Sequence, residues 1–282
     1  MQIKSAIQVN ALLPFGSLVT PQEKHTPLHT IAIDELRDLV RTAHLIILRG
    51  FAAFADTPQF SHYCTQWGKI SLWPFGEVLE LKVHEQPQDH IFAADYVPLH
   101  WDGMYRPTIP EYQIFHCVTA PLADQGGQTC FVNTRQVLAH ASKAQLSQWS
   151  DITIEYERSM AFYSSRCLSP LITAHPHRDY AVLRYNEPHA PTQGPLINPP
   201  HVHFVDLDSA QQAIVSQDLR RILYDPRFLY THQWADGDVV IADNFTLLHG
   251  RHAFAAHSPR HIQRVQIESD PPYNNPGLVY HE

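Results

Sequence analysis

The sequence predicts a mainly β fold with peripheral helices, a double-stranded β-helix or jelly roll, and three observations lead there. Short β-prone segments recur from Ile70 to near the end of the chain. Turn-forming breaks separate them, with 22 prolines over 282 residues. Helical periodicity is confined to a few stretches. Proline is excluded from helix interiors and central strands, so this many of them cut the chain into short strands. Many short strands with a few outlying helices fit two facing sheets. Residues 1–282 are expected to form one domain, because no repeat, low-complexity tract or linker divides them.

Taken in order, Asp34 is expected to cap a helix over 34–43, with Leu36, Leu39 and Val40 on one face. The apolar run 44–50 reads as a buried strand closed by Gly50. Asp56 suits the cap of a second helix over 57–67, and Pro58 fits its first turn. Strand candidates follow at "VLELKVH", "YQIFHCV", "QTCFVNT", "DITIEYERS" and "AVLRY". Residues 164–205, rich in Pro and His, are expected to pass over the barrel mouth as a long excursion. One clear helix interrupts the strands at about 208–224, with Ala213, Ile214, Leu219, Ile222 and Leu223 as its apolar positions. The Asp236-Gly237 pair before "VVIAD" is a hairpin signal, and "RHIQRVQI" reads as a last strand.

Composition excludes several classes of function. Hydrophobic residues make up 44% and charged residues 17% of the chain, which is neither disordered nor fibrous. The formal net charge is -8 without a basic run, which argues against a nucleic-acid or anionic-membrane partner. Cys64, Cys117, Cys130 and Cys167 form no C-x-x-C pair, which suggests free thiols in a reducing compartment. The first residues lack the apolar core of a signal peptide, and no apolar run approaches the ~18 residues of a membrane span. A cytoplasmic protein is expected.

The chemistry starts at "PLHWDGMY", where His100 and Asp102 stand two apart. With 20 histidines in the chain such a triplet arises by chance, and His177 and Asp179 form a second. On a strand, residues i and i+2 share a face, so His100 and Asp102 would point together into a barrel. A redox iron needs that pair and one more histidine on one face of an octahedron. His249 in "VVIADNFTLLHGR" offers the third ligand, with His252 three residues on as the alternative. Arg260 follows His249 by eleven residues and Arg264 by fifteen, and in one strand these two arginines share a face. Two guanidiniums aimed into a barrel are costly unless anions meet them, so carboxylate ligands are expected.

His-x-Asp, then "GGQT" at Gly126 to Thr129, then a distal His with Arg at +11 and +15 resembles the TauD/TfdA-type Fe(II)/2-oxoglutarate dioxygenases. "LWPFGEVLEL", "HIFAADYVPLHWDGMY", "FHCVTAP", "YSSR", "VIADNFTLLHGRHAF" and "PRHIQRV" resemble, within them, the PvcB-type oxygenases of isonitrile biosynthesis. The likeness spans nearly the whole chain, and nothing downstream of His177 and Asp179 matches it.

The resemblance implies iron(II) on His100, Asp102 and His249, with 2-oxoglutarate and O2 as cosubstrates. It places the distal carboxylate of 2-oxoglutarate on Arg260 and Thr129, and turns Arg264 toward cosubstrate or substrate. It implies a small isonitrile substrate made from L-tyrosine by an isonitrile synthase, and its desaturation, with loss of the carboxylate preferred. Trp101, Met104, Tyr105, Phe162 and Tyr163 are the aromatic and thioether candidates for the substrate pocket. A taurine- or herbicide-type hydroxylase is the rival enzyme, and a metal-binding sensor without catalysis the rival outside enzymes. Homo-oligomerisation is left open.

Overall fold

The chain's helices form where caps and apolar spacing agree, and their buried residues show which side they cover. The structure is a computed structural model that describes residues 6–280 except 53, 123, 161–162 and 190–194, and leaves aside the side chains of residues 163 and 280. Helix α1 (Ile33–Ala43) buries Leu36 and Val40. Its cap is Ala32, two residues before the expected Asp34, which instead lies in the first turn beside Glu35. There its charge complements the exposed N–H groups of the helix dipole. Helix α2 (Thr57–Thr65) starts as expected, the Asp56 carboxylate accepting the Gln59 N–H. Helices α3 (Thr134–His140) and α4 (Lys143–Ser150) were not foreseen, although Ser142 and Gln145 form a capping box. Helix α5 (Ser209–Leu223) is capped by Asp208 and buries Val215, Leu219 and Leu223. This corrects the expected face: Ile214 is 64% exposed, because a four-residue spacing from Leu219 selects Val215.

Two facing sheets carry the site. The larger runs β1 (Ile7–Ala11), β2 (Ser17–Pro21), β3 (Leu45–Leu48), β15 (Val239–Asp243), β7 (Tyr112–Thr119), β17 (His261–Ile267) and β4 (Leu79–Leu81). The smaller runs β14 (Leu229–His232), β8 (Thr129–Asn133), β16 (Leu247–Arg251) and β5 (Val97–His100). A further sheet joins β13 (His201–Phe204), β9 (Thr153–Met160), β10 (Tyr163–Pro170) and β19 (Leu278–Tyr280). Short pairs are β6 (Thr108–Ile109) with β18 (Tyr273–Asn274), and β11 (Ile172–Ala174) with β12 (Ala181–Leu183).

Period-two alternation separates the layers. Along β17, Ile262 packs with Phe115, Phe131 and Leu247 between the two sheets, while Val265 and Ile267 pack outward with Leu36 and Phe60 of α1 and α2. The far side of the smaller sheet packs on Tyr156, Phe204 and the apolar face of α5.

Two expectations change here. Asp236-Gly237 does not close a hairpin: β14 pairs with β8 in one sheet, whereas β15 pairs with β3 and β7 in the other. An Asp-Gly pair specifies the turn, here with Gly237 at φ 79, and not which strands it joins. Residues 164–205 are also more than an excursion, since they carry β11, β12, β13 and most of β10.

Candidate active site

The metal-type cluster is a product of strand register. In the β16–β5 ladder His249 stands directly opposite His100, so both rings project from one face, with centroids 4.1 Å apart. Asp102 lies just past the end of β5, in a turn whose Gly103 has φ 102. A Cβ on Gly103 would meet the Ile109 Cα at 2.9 Å, so the chain can turn there only with glycine. The donor atoms of His100, Asp102 and His249 lie within 4.8 Å of one another. His100 Nε2 is 3.7 Å from Asp102 Oδ1, and His249 Nε2 is 3.9 Å from Oδ2.

Neighbouring groups orient each ligand. His100 Nδ1 donates to the Pro98 carbonyl at 2.8 Å, which leaves Nε2 as the lone-pair nitrogen facing the cluster. Arg264 Nη1 and Gln266 Nε2 both donate to Asp102 Oδ2, at 2.6 and 2.7 Å. Buried Asn244 holds the Asp102 main chain at both ends, accepting its N–H at 3.0 Å and donating to its carbonyl at 2.9 Å. Asn244 also accepts from Gln113, whose amide lies 3.5 Å from His249 Nδ1. Burial lowers the pKa of His100 and, further, that of His249, so both rings are neutral at pH 7. Burial would raise the Asp102 carboxyl, but the Arg264 charge and the two imidazoles outweigh it and hold it at about 2. Two neutral imidazoles and one carboxylate are a donor set for a divalent cation that keeps open positions.

On one side of the cluster lies a cavity of about 430 Å³ lined by His249, Thr129, Phe115, Arg260, Arg251 and Arg264. Arg260 stands just before β17 and is 3% exposed. Its Nε donates to the Gly127 carbonyl at 3.1 Å, while its buried Nη1 has no partner among the described residues. Burial pushes its pKa down to about 10, still protonated at pH 7. Gly127 makes room for it, since a Cβ there would lie 3.0 Å from Arg260 Cδ at a φ of 79. A buried cation with an unmet donor requires an anion. Thr129 reaches the same cavity, its hydroxyl oxygen accepting the Trp234 indole N–H at 3.1 Å.

On the other side a cleft of about 790 Å³ is lined by Trp73, Phe75, Phe92, Met104, Tyr105 and Met160, with His100, Asp102 and Arg264 at its floor. Trp73 and Phe75 stack at 5.6 Å, and Arg106 lies 4.4 Å over Trp73. Its wall at 90–95 is tied down by Arg251, which donates to the carbonyls of His90, Ile91, Ala93 and Asp95 at 2.6–3.1 Å.

The structure brings together His100, Asp102, His249, Thr129, Arg260 and Arg264 as expected. His252 turns away, its Nε2 3.1 Å from Cys130 Sγ. Arg264 borders both cavities, and it also binds Asp102 through Nη1 while its buried Nε has no partner among the described residues. Trp101 lies among the residues that line the cleft, while its ring is 1% exposed, packs in the core and is covered by Arg184 at 4.9 Å. Tyr105 and Met104 do reach the cleft. Phe162 and the Tyr163 side chain lie outside the described residues. Of the residues not foreseen, Gln266 was accessible as the i+2 neighbour of Arg264, whereas Gln113, Asn244 and Trp234 carried no local signal.

The sequence profile of the taurine catabolism dioxygenase TauD, TfdA family matches residues 10–266. Tyrosine isonitrile desaturase of Pseudomonas aeruginosa is 46% identical over 264 residues, 94% of this chain and 91% of that protein. The 3-((Z)-2-isocyanoethenyl)-1H-indole synthase of Fischerella ambigua is 36% identical over 92% of this chain and 94% of its own length. The crystal structure of PvcB from Pseudomonas aeruginosa superposes with a TM-score of 0.82 at 40% identity, covering 97% of this chain and 96% of the other. A second PvcB structure, described as an Fe, alpha-ketoglutarate dependent oxygenase from an isonitrile synthetic pathway, gives 0.81 with the same identity and coverage.

Proposed function

We propose that this chain, which belongs to the TauD/TfdA family of dioxygenases, desaturates the isonitrile derived from L-tyrosine with loss of its carboxylate. It is an Fe(II)- and 2-oxoglutarate-dependent enzyme, and the site fits that pair. His100, Asp102 and His249 would hold iron, and Arg260 with Thr129 would hold the distal carboxylate of 2-oxoglutarate. The observation that carries the substrate reading is an aromatic and thioether cleft that opens directly on His100 and Asp102. Two relatives named for isonitrile chemistry, on a phenol and on an indole scaffold, support an aromatic substrate.

Bound iron(II), with 2-oxoglutarate and O2, would supply the oxidising power to remove hydrogen from a benzylic C–H bond, releasing succinate and CO2. The residues of this chain supply position. Arg264, with Nη1 on Asp102 and Nε unmet, would take the substrate carboxylate while the phenol lies among Trp73, Phe75 and Phe92. That pose turns the benzylic carbon toward the cluster. The benzylic hydrogen leaves with one electron and a second electron follows. The carbon–carboxylate bond then breaks, its electron pair becomes the alkene, and CO2 departs. Overall the substrate would give up CO2, two electrons and two protons, which balances release of the second oxygen of O2 as water, so no oxygen would enter the product.

The supply of such a substrate requires an isonitrile synthase acting before this enzyme. A cytoplasmic setting is consistent with Cys64, Cys117, Cys130 and Cys167, all free and buried. Among the described residues no helix is long and apolar enough to cross a membrane.

Incubating the protein with synthetic tyrosine isonitrile, iron(II), 2-oxoglutarate and O2 tests the reading by mass spectrometry. The expected product has lost CO2 and two hydrogens. A β-hydroxylated product that keeps its carboxylate overturns the desaturation, and turnover of taurine with no reaction of the isonitrile overturns the substrate.

A further inference from the structure

We propose that Trp234 is a positioning residue for the cosubstrate: it fixes which way the Thr129 hydroxyl hydrogen points, and so makes that hydroxyl a donor to the distal carboxylate. The proposal rests on the reading of Thr129 and Arg260 given above.

The polarity of one hydrogen bond carries it. An indole N–H can only donate. With Trp234 Nε1 at 3.1 Å from Thr129 Oγ1, the hydroxyl oxygen is the acceptor and its own hydrogen must point elsewhere. Thr129 is 5% exposed, and among the described residues its hydroxyl has no acceptor of its own. The free direction opens on the cavity it lines with Arg260, whose Nη1 is likewise buried without a partner. Two unmet donors facing one space match a carboxylate. Without the indole, the threonine hydroxyl is a free rotor that offers the cavity a lone pair as readily as a hydrogen.

The segment around Trp234 is built to hold that geometry. The Asp238 carboxylate accepts the Ala235 N–H at 2.9 Å and His232 Nε2 at 3.1 Å, and Arg49 Nε at 2.7 Å on its other oxygen. Asp236 accepts the Ala120 N–H at 2.7 Å. His232 sets its ring edge-on to Trp234 at 4.5 Å. The Asp-Gly turn that joins the two sheets thereby delivers the indole to the cavity wall.

A double-mutant cycle read by binding tests this. 2-Oxoglutarate is titrated calorimetrically into the Mn(II)-loaded protein without O2, for wild type, Thr129→Val, Trp234→Phe and the double variant. Thr129→Val is expected to weaken binding by about tenfold to a hundredfold, the loss of one hydrogen bond to a charged group, and Trp234→Phe by a smaller, severalfold factor, because the hydroxyl must then be oriented on binding. The double variant is expected to bind no worse than Thr129→Val alone. Pyruvate, which lacks the distal carboxylate, should bind all four alike, and Mn(II) affinity should not change. Full additivity, unchanged 2-oxoglutarate binding in Trp234→Phe, or an equal loss for pyruvate overturns the proposal. If Thr129→Val alone has no effect, the carboxylate reading of Thr129 falls, and the proposal with it. Trp234→Tyr repeats the cycle should Trp234→Phe fail to fold.

Discussion

The two cavities that meet at His100 are made of different materials. On the cosubstrate side the polar groups sit on or beside strands of both sheets: Thr129 on β8, His249 and Arg251 on β16, Arg260 at the edge of β17. All four are less than a tenth exposed. On the substrate side the wall comes largely from turns, and Phe75 is 41% exposed. Ladder hydrogen bonds fix strand residues on both flanks, so directional contacts to a charged ligand are held to within a fraction of an ångström. Aromatic and thioether contacts are non-directional and tolerate looser support. One cavity is shaped to accept a single small dianion, and the other to accept a shape.

The largest effect should come where the cavities join. His100→Ala, Asp102→Ala and His249→Ala should each lose calorimetric Mn(II) binding and all turnover while keeping the circular dichroism of the parent. His252→Ala should keep both, and the opposite pattern would move the distal ligand. Next, Arg260→Ala leaves a carboxylate uncompensated in a buried site, at a cost of roughly 2–5 kcal/mol, or about thirtyfold to a few thousandfold in 2-oxoglutarate affinity. Arg260→Lys should recover little, because an ammonium lacks the planar fork. Unchanged cosubstrate affinity in Arg260→Ala would transfer the role to Arg264.

A smaller effect sharpens the contrast in rigidity. Gly127→Ala puts a methyl 3.0 Å from Arg260 Cδ in a left-handed backbone, so about 1–2 kcal/mol of stability and a severalfold loss of 2-oxoglutarate affinity are expected. Thermal melting and titration check both, and a variant as stable and as tight as the parent would show that the cradle gives way freely. Smallest of all, Phe75→Ala should raise the substrate KM less than about tenfold, because a half-exposed ring loses little burial. Its 2-oxoglutarate affinity should equal that of the parent. Equal losses for both ligands would mean that the two cavities are not independent.

Sequence and structure agree best where chemistry and local periodicity coincide. His100 with Asp102, and Arg260 with Arg264, were legible from their spacing, although Asp102 and Arg260 themselves stand just outside β5 and β17. The residues that hold the ligands were not legible. Asn244 reaches Asp102 across 142 positions and Gln113 reaches His249 across 136, and no local pattern announces such contacts. The Asp236-Gly237 turn was legible as a turn, but its partners depend on which sheet each flanking strand joins. Ser142 and Gln145 marked α4 plainly, yet proline density hid it by favouring strands throughout.

Arg251 has a bearing on how such a pocket could be redesigned. Its guanidinium grips the cleft wall through four main-chain carbonyls, and all four bonds survive any change of side chain at 90, 91, 93 or 95 that leaves the backbone in place. Anchorage and identity are thereby separated: the segment stays where it is, whatever it displays. A library randomised at Ile91 and Phe92, the half-buried cleft-lining members of the segment, should therefore yield mostly folded proteins with an intact metal cluster, and differing appetites for the molecule in the cleft.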